Sequence, residues 1–224
     1  MGRDNWILRG LQKPLPQYAE YLKSRGVDET CRFRFHSWKP HPQIECPKFR
    51  AMYGSQGEKV SEHLVTPITS PRGEVIGLEF RKVDGEGNKR VNQYRTESAQ
   101  WNPYALGAED AFKSLWGGDD LWVVEGIFDK VALDRVVPRC DTVISTLRAG
   151  MDSNTMEMIS RYYTPASTIY VCYDNDETGQ KKGSWLQREL TQRGMRAILW
   201  RYRGKDPNEV WENYGDRGLQ RMFL

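Results

Sequence analysis

The sequence predicts an α+β protein. A mixed α/β subdomain with antiparallel strands precedes an α/β domain with a central, mostly parallel sheet. Two observations support this prediction. β-rich segments separated by turn residues fill residues 63–94. From about residue 119, short apolar runs alternate with helical periodicity, which is typical of a parallel sheet covered on both faces.

Each element of the first half follows from local pattern. The segment LPQYAEYLKSRGV predicts a short helix that ends at Gly26. Residues 28–60 are rich in Pro, Arg, His and aromatic residues without a clear period, which predicts irregular structure with short strands. LVTPI and EVIGLEFRKV predict strands joined by the turn SPRG, and DGEGN is a second turn. Together they predict an antiparallel meander.

The second half alternates strand and helix. The predicted strands are LWVVE, DTVISTL, TIYVCYD and RAILWRY. The predicted helices are IFDKVALDRVV, SNTMEMISRYY and TGQKKGSWLQRELTQRG. Asp152 or Ser153 is the candidate N-cap of the second helix, and Gly194 ends the third. Trp122, Trp185 and Trp200 fall within apolar periodic segments, so we expect them in the core.

Composition narrows the protein class. The chain has 224 residues, with 38% hydrophobic and 28% charged residues, as in ordinary globular proteins. No apolar run reaches eighteen residues, and the start lacks the apolar core of a signal peptide, so we expect a cytoplasmic protein without a membrane span. The four cysteines form no C-x-x-C pair, which argues against a zinc ribbon.

Charge is unevenly distributed along the chain. Residues 1–118 hold 18 Lys and Arg against 14 Asp and Glu, and residues 119–224 hold 15 against 16. A basic first half and an acid-bearing second half fit a polyanion held by one part while metal chemistry occurs in the other. Random scatter of surface charge explains the same counts.

Three carboxylates directly follow apolar runs. Glu125 ends one predicted strand, Asp174 ends another, and Asp176 lies two residues further on. Ligands of such sheets bind outside the carboxyl ends of the strands, so these acids should meet there. Oxygen-only ligands favour a hard ion, Mg²⁺ or Mn²⁺. The alternative for each acid alone is a helix N-cap or a turn residue.

These residues carry a family resemblance. E-G-x-x-D after a strand, followed by D-x-D and a TG that opens a helix, resembles the Toprim domain of DnaG-type primases, topoisomerases and some nucleases. The matching residues are Glu125, Gly126, Asp129, Asp174, Asp176 and Gly179. GKDPNE, residues 204–209, resembles the acidic element after the last strand in primases. Asp206 fits that element, whereas Asn208 stands where many primases carry a second acid.

Upstream segments resemble the DnaG-type primase core specifically. YLKSRGV is similar to its opening segment, and NPYALGAEDAF to the helix that leads into the Toprim domain. The meander matches at Arg72, Gly73, Gly77, Arg81, Lys89 and Asn92. The resemblance covers roughly residues 18–215. It implies an N-terminal basic subdomain (1–117), a Toprim catalytic domain (118–203) and a C-terminal helical segment (204–224).

The sequence also departs from the family. In the family, the loop after the third conserved strand usually has a sequence similar to GTALT, whereas here it is STLRAGM. The family also usually has a basic residue just before the helix that leads into the Toprim domain, whereas the segment AQWNPY has none. The sequence contains no zinc-binding domain and no helicase-binding or helicase domain. We therefore expect a stand-alone catalytic core that needs a replicative helicase or a separate zinc-binding protein for efficient initiation.

The resemblance implies a DNA primase that makes short RNA primers on single-stranded DNA from ribonucleoside triphosphates. It implies catalysis by Glu125, Asp174 and Asp176, and Mg²⁺ or Mn²⁺ held by these three with Asp206. The nucleotide-binding or nucleic-acid-binding residues that it implies are Arg81, Lys89, Asn92, Arg95 and Asp129. A solvated strand face is the alternative for Arg81 and Lys89, and Lys181 and Lys182 are expected to face solvent.

Two other functions stay open. A Toprim-type, metal-dependent nuclease would use the same acids, although nucleases of this type lack the upstream region in this form. A non-catalytic replication accessory module would keep the fold without the activity, and retention of the three acids argues against it. The length of the sequence argues against a topoisomerase, which would need gate domains and a catalytic tyrosine in addition.

Overall fold

A computed structural model of the chain describes residues 11–29, 31, 34–38, 63–83 and 89–221. Its first sheet has five strands in sequence order, and every neighbouring pair is antiparallel. The strands are β1 (Leu11–Gln12), β2 (His36–Trp38), β3 (Leu64–Thr69), β4 (Val75–Val83) and β5 (Lys89–Arg95). The β3–β4–β5 meander is confirmed. The predicted turn DGEGN and most of residues 28–60 lie outside the described part.

The second sheet is parallel and has the strand order β7-β6-β8-β9. Its strands are β6 (Leu121–Val124), β7 (Thr142–Ser145), β8 (Ile169–Val171) and β9 (Ala197–Leu199). Every residue of β6 and β7 is buried, which explains why these strands read as continuous runs rather than alternating patterns. The predicted α+β fold, with one antiparallel sheet and one parallel sheet, is confirmed.

Within the described ranges, six α-helices accompany the sheets. They are α1 (Ala19–Ser24), α2 (Ala108–Gly117), α3 (Ile127–Asp134), α4 (Ser153–Tyr162), α5 (Glu177–Gln192) and α6 (Pro207–Gln220). Asp152 is the N-cap of α4, because its side chain accepts hydrogen bonds from the backbone N–H groups of Asn154 and Thr155. Gly26 follows α1 with a φ of +78°, a conformation that favours glycine and ends the helix as predicted.

Helices cover both faces of the parallel sheet. On one face, Leu115 of α2, Ile159 of α4 and Leu186 of α5 join one buried cluster with the strands. On the other face, Leu133 of α3 and Leu219 of α6 join a second cluster. This layering leaves the carboxyl ends of the strands as the accessible edge at which a ligand can approach.

The antiparallel sheet packs against α3. Phe128 lies in a buried cluster with Phe35 and Leu64, and its ring stacks on Phe35 with centroids 5.5 Å apart. An isolated antiparallel bridge between Leu106 and Ser145 also ties the connecting segment to β7. Because α3 begins just after β6, this packing sets one face of the meander beside the edge of the parallel sheet.

Some element boundaries and one burial prediction differ from expectation. β8 ends at Val171, so Asp174 follows the strand by three residues instead of ending it. Trp122 is buried and Trp200 partly buried in one cluster, as predicted, but Trp185 is 43% exposed, so the prediction that it packs in the core is wrong. None of the helices in the described ranges is long and apolar enough to cross a membrane.

Candidate active site

A cavity of about 210 Å³ opens at the carboxyl ends of β6 and β8. Acids and bases share its wall. Its acidic lining residues are Glu125, Asp129, Asp174 and Asp206. Its basic lining residues are Arg25, Arg81, Arg148 and Lys205. Strand ends of a parallel sheet meet at one edge, and of the three acids expected to meet there the structure brings Glu125 and Asp174, but not Asp176, to the lining of this cavity.

Glu125 is held where its charge is unfavourable. It directly follows β6, and the Ser145 hydroxyl donates a hydrogen bond of 2.8 Å to its backbone carbonyl oxygen. Its Oε1 atom is buried without a hydrogen-bond partner among the described residues. Burial, and then the negative charges of Asp174 and Asp176, raise the pKa of Glu125 to about 7, against the lowering effect of a backbone hydrogen bond from Asp174 to the carboxyl group. At neutral pH this carboxyl group can either bind or release a proton.

Asp129 is an interior residue of the site. Its Oδ2 atom accepts a hydrogen bond from the backbone N–H of Gly126, which caps α3, and its Oδ1 atom accepts one from the N–H of Asn208. Burial and the charges of Asp206 and Asp174 raise its pKa above the usual range. Both oxygens are engaged within the fold, so its contacts favour positioning of α3 and α6. A direct contact with nucleotide stays a prediction.

Asp176 lies at the N-terminus of α5. Its side chain accepts a hydrogen bond of 2.8 Å from the backbone N–H of Gly179, so the N-cap alternative describes its contact in this structure. It is exposed and does not line the cavity, whereas Asp174 is partly buried and does. A metal-binding role for Asp176 stays a prediction. Its negative charge contributes to the raised pKa of Glu125.

Gly179 allows the close approach of α5 to the site. A Cβ atom added there would lie 2.2 Å from the carbonyl oxygen of Asp174 and 2.9 Å from Oε1 of Glu125. Both distances are shorter than real Cβ contacts. Any side chain at this position would therefore displace the backbone or the carboxylate that lines the cavity.

The GKDPNE element closes another side of the cavity. Asp206 is the N-cap of α6 and accepts a hydrogen bond of 2.7 Å from the N–H of Glu209. Asn208 is buried, and its side chain accepts a hydrogen bond of 2.8 Å from the Arg25 guanidinium group. An amide that can accept this bond without charge thus stands where many primases carry a second acid. Metal binding by Asp206 stays a prediction.

Arg148 brings a cation to the cavity from the loop after β7. The preceding residue, Leu147, has a φ of +62°, and it is the sole non-glycine residue with positive φ in the described ranges. Such backbone strain persists only where the surroundings enforce it. Arg148 is exposed and forms no ion pair with the described residues. The loop therefore presents an uncompensated positive charge beside Glu125 and Asp174.

Arg81 forms part of the wall that the antiparallel sheet contributes. Its guanidinium group donates a hydrogen bond of 3.0 Å to buried Glu79 and lies 5.0 Å from the ring centroid of Phe128. Arg81 is 8% exposed, so the solvated-strand alternative does not describe it. Its contact with phosphate stays a prediction, as does that of Arg95, which is exposed and lies over the Tyr104 ring.

Lys89 and Asn92 lie in β5, opposite Val83 and Phe80 in the register. Their side chains fall outside the described part of the structure. Their predicted contacts with nucleotide or nucleic acid stay predictions.

The donor set fits a hard cation in its chemistry. Oxygen atoms are the ligands available, one of them is buried without a hydrogen-bond partner, and the acids raise one another's pKa values. A divalent cation would relieve this repulsion. However, the described residues contain no group of three His, Cys, Asp or Glu side chains gathered closely enough to hold an ion. The four-residue metal set of the sequence analysis stays a prediction.

Sequence reasoning missed three basic residues of the cavity, namely Arg25, Arg148 and Lys205. Two of them had a signal. Arg148 lies in the STLRAGM loop after a parallel strand, and loops at that end converge on the ligand site. Lys205 directly precedes Asp206 in a segment already assigned to the site. Arg25 had no local signal, because it reaches the cavity through its contact with Asn208, which lies 183 residues away in sequence.

Comparison with protein families matches residues 122–211 to the Toprim-like family. The DNA primase of Aquifex aeolicus is 26% identical over 224 residues, covering 92% of this chain and 44% of that protein. The DNA primase of Borreliella burgdorferi is 27% identical over 176 residues, covering 77% of this chain and 33% of that protein. The chain thus spans less than half the length of these curated relatives.

Solved structures show the same fold. The Aquifex aeolicus primase structure with zinc-binding and RNA polymerase domains matches with a TM-score of 0.69 at 21% identity, covering 93% of this chain and 55% of that one. The DnaG primase catalytic domain bound to single-stranded DNA matches with a TM-score of 0.70 at 20% identity, covering 96% and 75%. The resemblance to the DnaG-type catalytic core with a Toprim domain is confirmed.

Proposed function

We propose that this chain is the catalytic core of a DNA primase, which joins ribonucleoside triphosphates into short RNA primers on single-stranded DNA. One observation carries the proposal. Glu125, with a buried carboxylate oxygen that has no hydrogen-bond partner among the described residues, and Asp174 line one cavity together with basic side chains. Primase relatives that cover most of the chain support it.

The cavity suits nucleotidyl transfer. In this reaction the 3′-hydroxyl of one nucleotide attacks the α-phosphate of the next, and pyrophosphate leaves. Glu125, with a pKa of about 7, can accept the proton of the attacking hydroxyl at neutral pH. Arg148 and Lys205 can stabilise the negative charge of the triphosphate and of the leaving pyrophosphate, because both line the same cavity.

Divalent metal ions are generally used by Toprim domains and primases, and Mg²⁺ or Mn²⁺ is the proposal for this chain. Asp174 would hold the ion, with Asp176 and Asp206 as further candidates, and Glu125 would serve either as another ligand or as the proton acceptor. When bound, the ion would neutralise charge on the reacting phosphate and its leaving group. Asp129 would keep α3 and α6 in place around these acids through its two backbone hydrogen bonds.

The partners proposed are a single-stranded DNA template and ribonucleoside triphosphates. A replicative helicase or a separate zinc-binding protein would supply efficient initiation at a defined sequence. Comparison of unprimed synthesis with extension of a supplied RNA primer tests this dependence. The chain alone should extend the primer better than it initiates. Strong, sequence-specific initiation by the chain alone would contradict the need for a partner.

One assay tests the activity itself. The protein is incubated with single-stranded DNA, Mg²⁺ or Mn²⁺ and labelled ribonucleotides, and new products and template degradation are followed together. Short template-dependent RNA products would support the proposal. Template degradation without synthesis would instead indicate a nuclease. Strand binding with neither reaction would indicate a non-catalytic module.

A further inference from the structure

Beyond the cavity, an aromatic and cationic depression begins at Arg148. Arg148 lines both the acidic cavity and this depression, so the two are continuous. The depression is also lined by Lys181, Lys182 and Trp185 of α5. Trp185 is 43% exposed although its neighbour Leu186 is buried. The exposed indole therefore stands among three basic residues next to the site.

The same surface continues along α5. A second depression between α5 and β9, the last strand in the described order of the parallel sheet, is lined by Lys181, Arg188 and Arg201. It shares Lys181 with the first depression. Glu177 is the acidic residue that lines it, and this acid is exposed and paired with Lys181.

A third depression extends the surface onto α6. It shares Arg201 with the second and is lined by Arg203, Arg217, Arg221 and the exposed Tyr214. No acid lines it. Among the described residues, the four arginines of this depression form no ion pair. We call the surface that runs from Arg148 through Lys181 and Arg201 to Arg221 the cationic track.

The acids of α6 point to other partners. Glu209 accepts a hydrogen bond from the N–H of Lys205, Glu212 pairs with Arg25, and Asp216 pairs with Arg135. Arg217, which follows a kink at Gly215 in α6, and Arg221, which directly follows α6, are left without these counter-charges. An ordinary solvated helix face mixes both signs, whereas here the two signs are separated. The separation leaves the track with a need for anions from outside the chain.

We infer that the cationic track binds a single-stranded polynucleotide whose other end lies in the acidic cavity. Repeated cations that follow a backbone, with exposed aromatic rings on which bases stack, are the means by which proteins hold single strands. Trp185 and Tyr214 supply such rings, and Arg148 joins the track to the site of chemistry. The inference rests on the proposed function for the identity of the reaction, but strand binding can be measured independently of it.

Salt-dependent binding tests the track. Labelled oligodeoxythymidylate and oligouridylate of increasing length are titrated with the full chain and with the double variant Arg201→Gln/Arg217→Gln. Each lost phosphate contact on a single strand lowers the salt slope by about 0.7, so the double variant should lower it by about 1.4 for long strands. The matched control, Lys113→Gln/Arg161→Gln, removes two exposed cations outside the track and should leave the slope unchanged.

The two sources of a single strand give different results. If the double variant lowers the salt slope only for the DNA oligomers, the track binds the template strand. If it lowers the slope only for the RNA oligomers, the track binds the RNA product. Equal slopes for the double variant and the parent with both oligomers would overturn the inference. Trp185→Ala provides a second measurement, with long-strand affinity expected to fall at least about fivefold through lost stacking.

The experiments distinguish between two hypotheses, namely strand binding by the cationic track and RNA synthesis by the chain. If the parent chain shows no synthesis but the double variant lowers the salt slope, the track stands and the proposed function fails. If the parent synthesises RNA and the double variant shows unchanged slopes, the function stands and the track is refuted. Circular dichroism and thermal melting confirm that each variant is folded.

Discussion

Buried charged side chains have different surroundings in the antiparallel sheet and at the edge of the parallel sheet. In β4, buried Arg81 is neutralised by buried Glu79 and covered by the Phe128 ring. At the parallel edge, Glu125 has a buried oxygen without a hydrogen-bond partner among the described residues, and it lies near the charge of Asp174. The first region balances its charge within the fold. In the second, Glu125 stays buried beside like charges, although basic side chains line the same cavity.

Chain topology explains this difference. Glu79 and Arg81 lie two residues apart on one strand, so they share a face of the sheet and can pair. Glu125 and Asp174 come from separate strand–helix connections that all end at the same edge, where like charges collect. Acids that collect at one such edge mark the place where a cation or a substrate is expected.

The largest expected effect is the loss of RNA synthesis when an acid at the edge of the parallel sheet is replaced. Asp174→Asn and Glu125→Gln should each lower RNA synthesis by at least about 1,000-fold, because each removes a charge that would hold the ion and the reacting groups. Incorporation of labelled ribonucleotides measures this. Asp110→Asn is the matched control, because Asp110 is an exposed acid on α2 outside the cavity. Normal yield from both site variants would remove these acids from the mechanism.

The second-largest expected effect is on the stability of the protein when the Glu79–Arg81 pair of β4 is broken. Arg81→Ala leaves the buried carboxylate of Glu79 without its cation, which should lower the free energy of unfolding by about 3–5 kcal/mol. The double variant Glu79→Gln/Arg81→Met should lose less, because it leaves no buried charge. Urea denaturation measures both. An Arg81→Ala variant as stable as the parent would show that Arg81 does not serve the fold as described.

Gly179 tests how closely the edge is packed. Gly179→Ala should lower the free energy of unfolding by about 1–3 kcal/mol and reduce activity, because the new Cβ would meet the Asp174 carbonyl oxygen and Glu125. Gly117→Ala, near the end of α2, meets only the Asp119 side chain and should change stability by less than about 1 kcal/mol. Unfolding and activity measurements on both variants check this. Equal behaviour would contradict the close approach.

The smallest effect separates two roles of Asp176. Asp176→Ala removes the cap of α5 and should cost about 1 kcal/mol of stability, whereas Asp176→Asn keeps a capping oxygen and should cost little. If Asp176 also binds the ion, both variants should lose activity. If only Asp176→Ala loses activity, the residue acts through the helix cap alone. Thermal melting and primer synthesis, measured side by side, decide between these outcomes.

The sequence was sufficient for the parts that depend on local pattern or shared topology. β-rich segments between turn residues predicted the antiparallel sheet, and short apolar runs predicted the parallel one. The rule that parallel strands end at one edge predicted that Glu125 and Asp174 lie together. Exposure was harder to predict. Helical periodicity groups the residues of α5 by face, but Trp185 adjoins buried Leu186 and lies beyond the edge of the core. That edge is set by neighbouring elements rather than by α5.

Long-range contacts account for the other differences. The role of Asp129 depends on a hydrogen bond from the N–H of Asn208, 79 residues away, and that of Arg25 on the Asn208 side chain. No local pattern reports such partners. The basic meander was expected to serve phosphate, but burial of Arg81 against Glu79 and Phe128 depends on how the sheet docks on α3. Docking of this kind is fixed by the whole fold.

Proton release on metal binding tests most directly whether a divalent cation binds the Glu125 carboxylate at the parallel edge. Near pH 7 Glu125 is partly protonated, since burial and neighbouring acids raise its pKa to about 7. An ion that binds its carboxylate must displace that proton, so affinity should rise with pH up to about 7 and then level off. Calorimetric titration with Mn²⁺ in buffers of different ionisation enthalpy measures the proton count. We predict that the parent chain releases more protons per bound ion than Glu125→Gln does, because the variant retains only the raised pKa of Asp129. Binding without proton release, or equal release by the variant, would contradict the account.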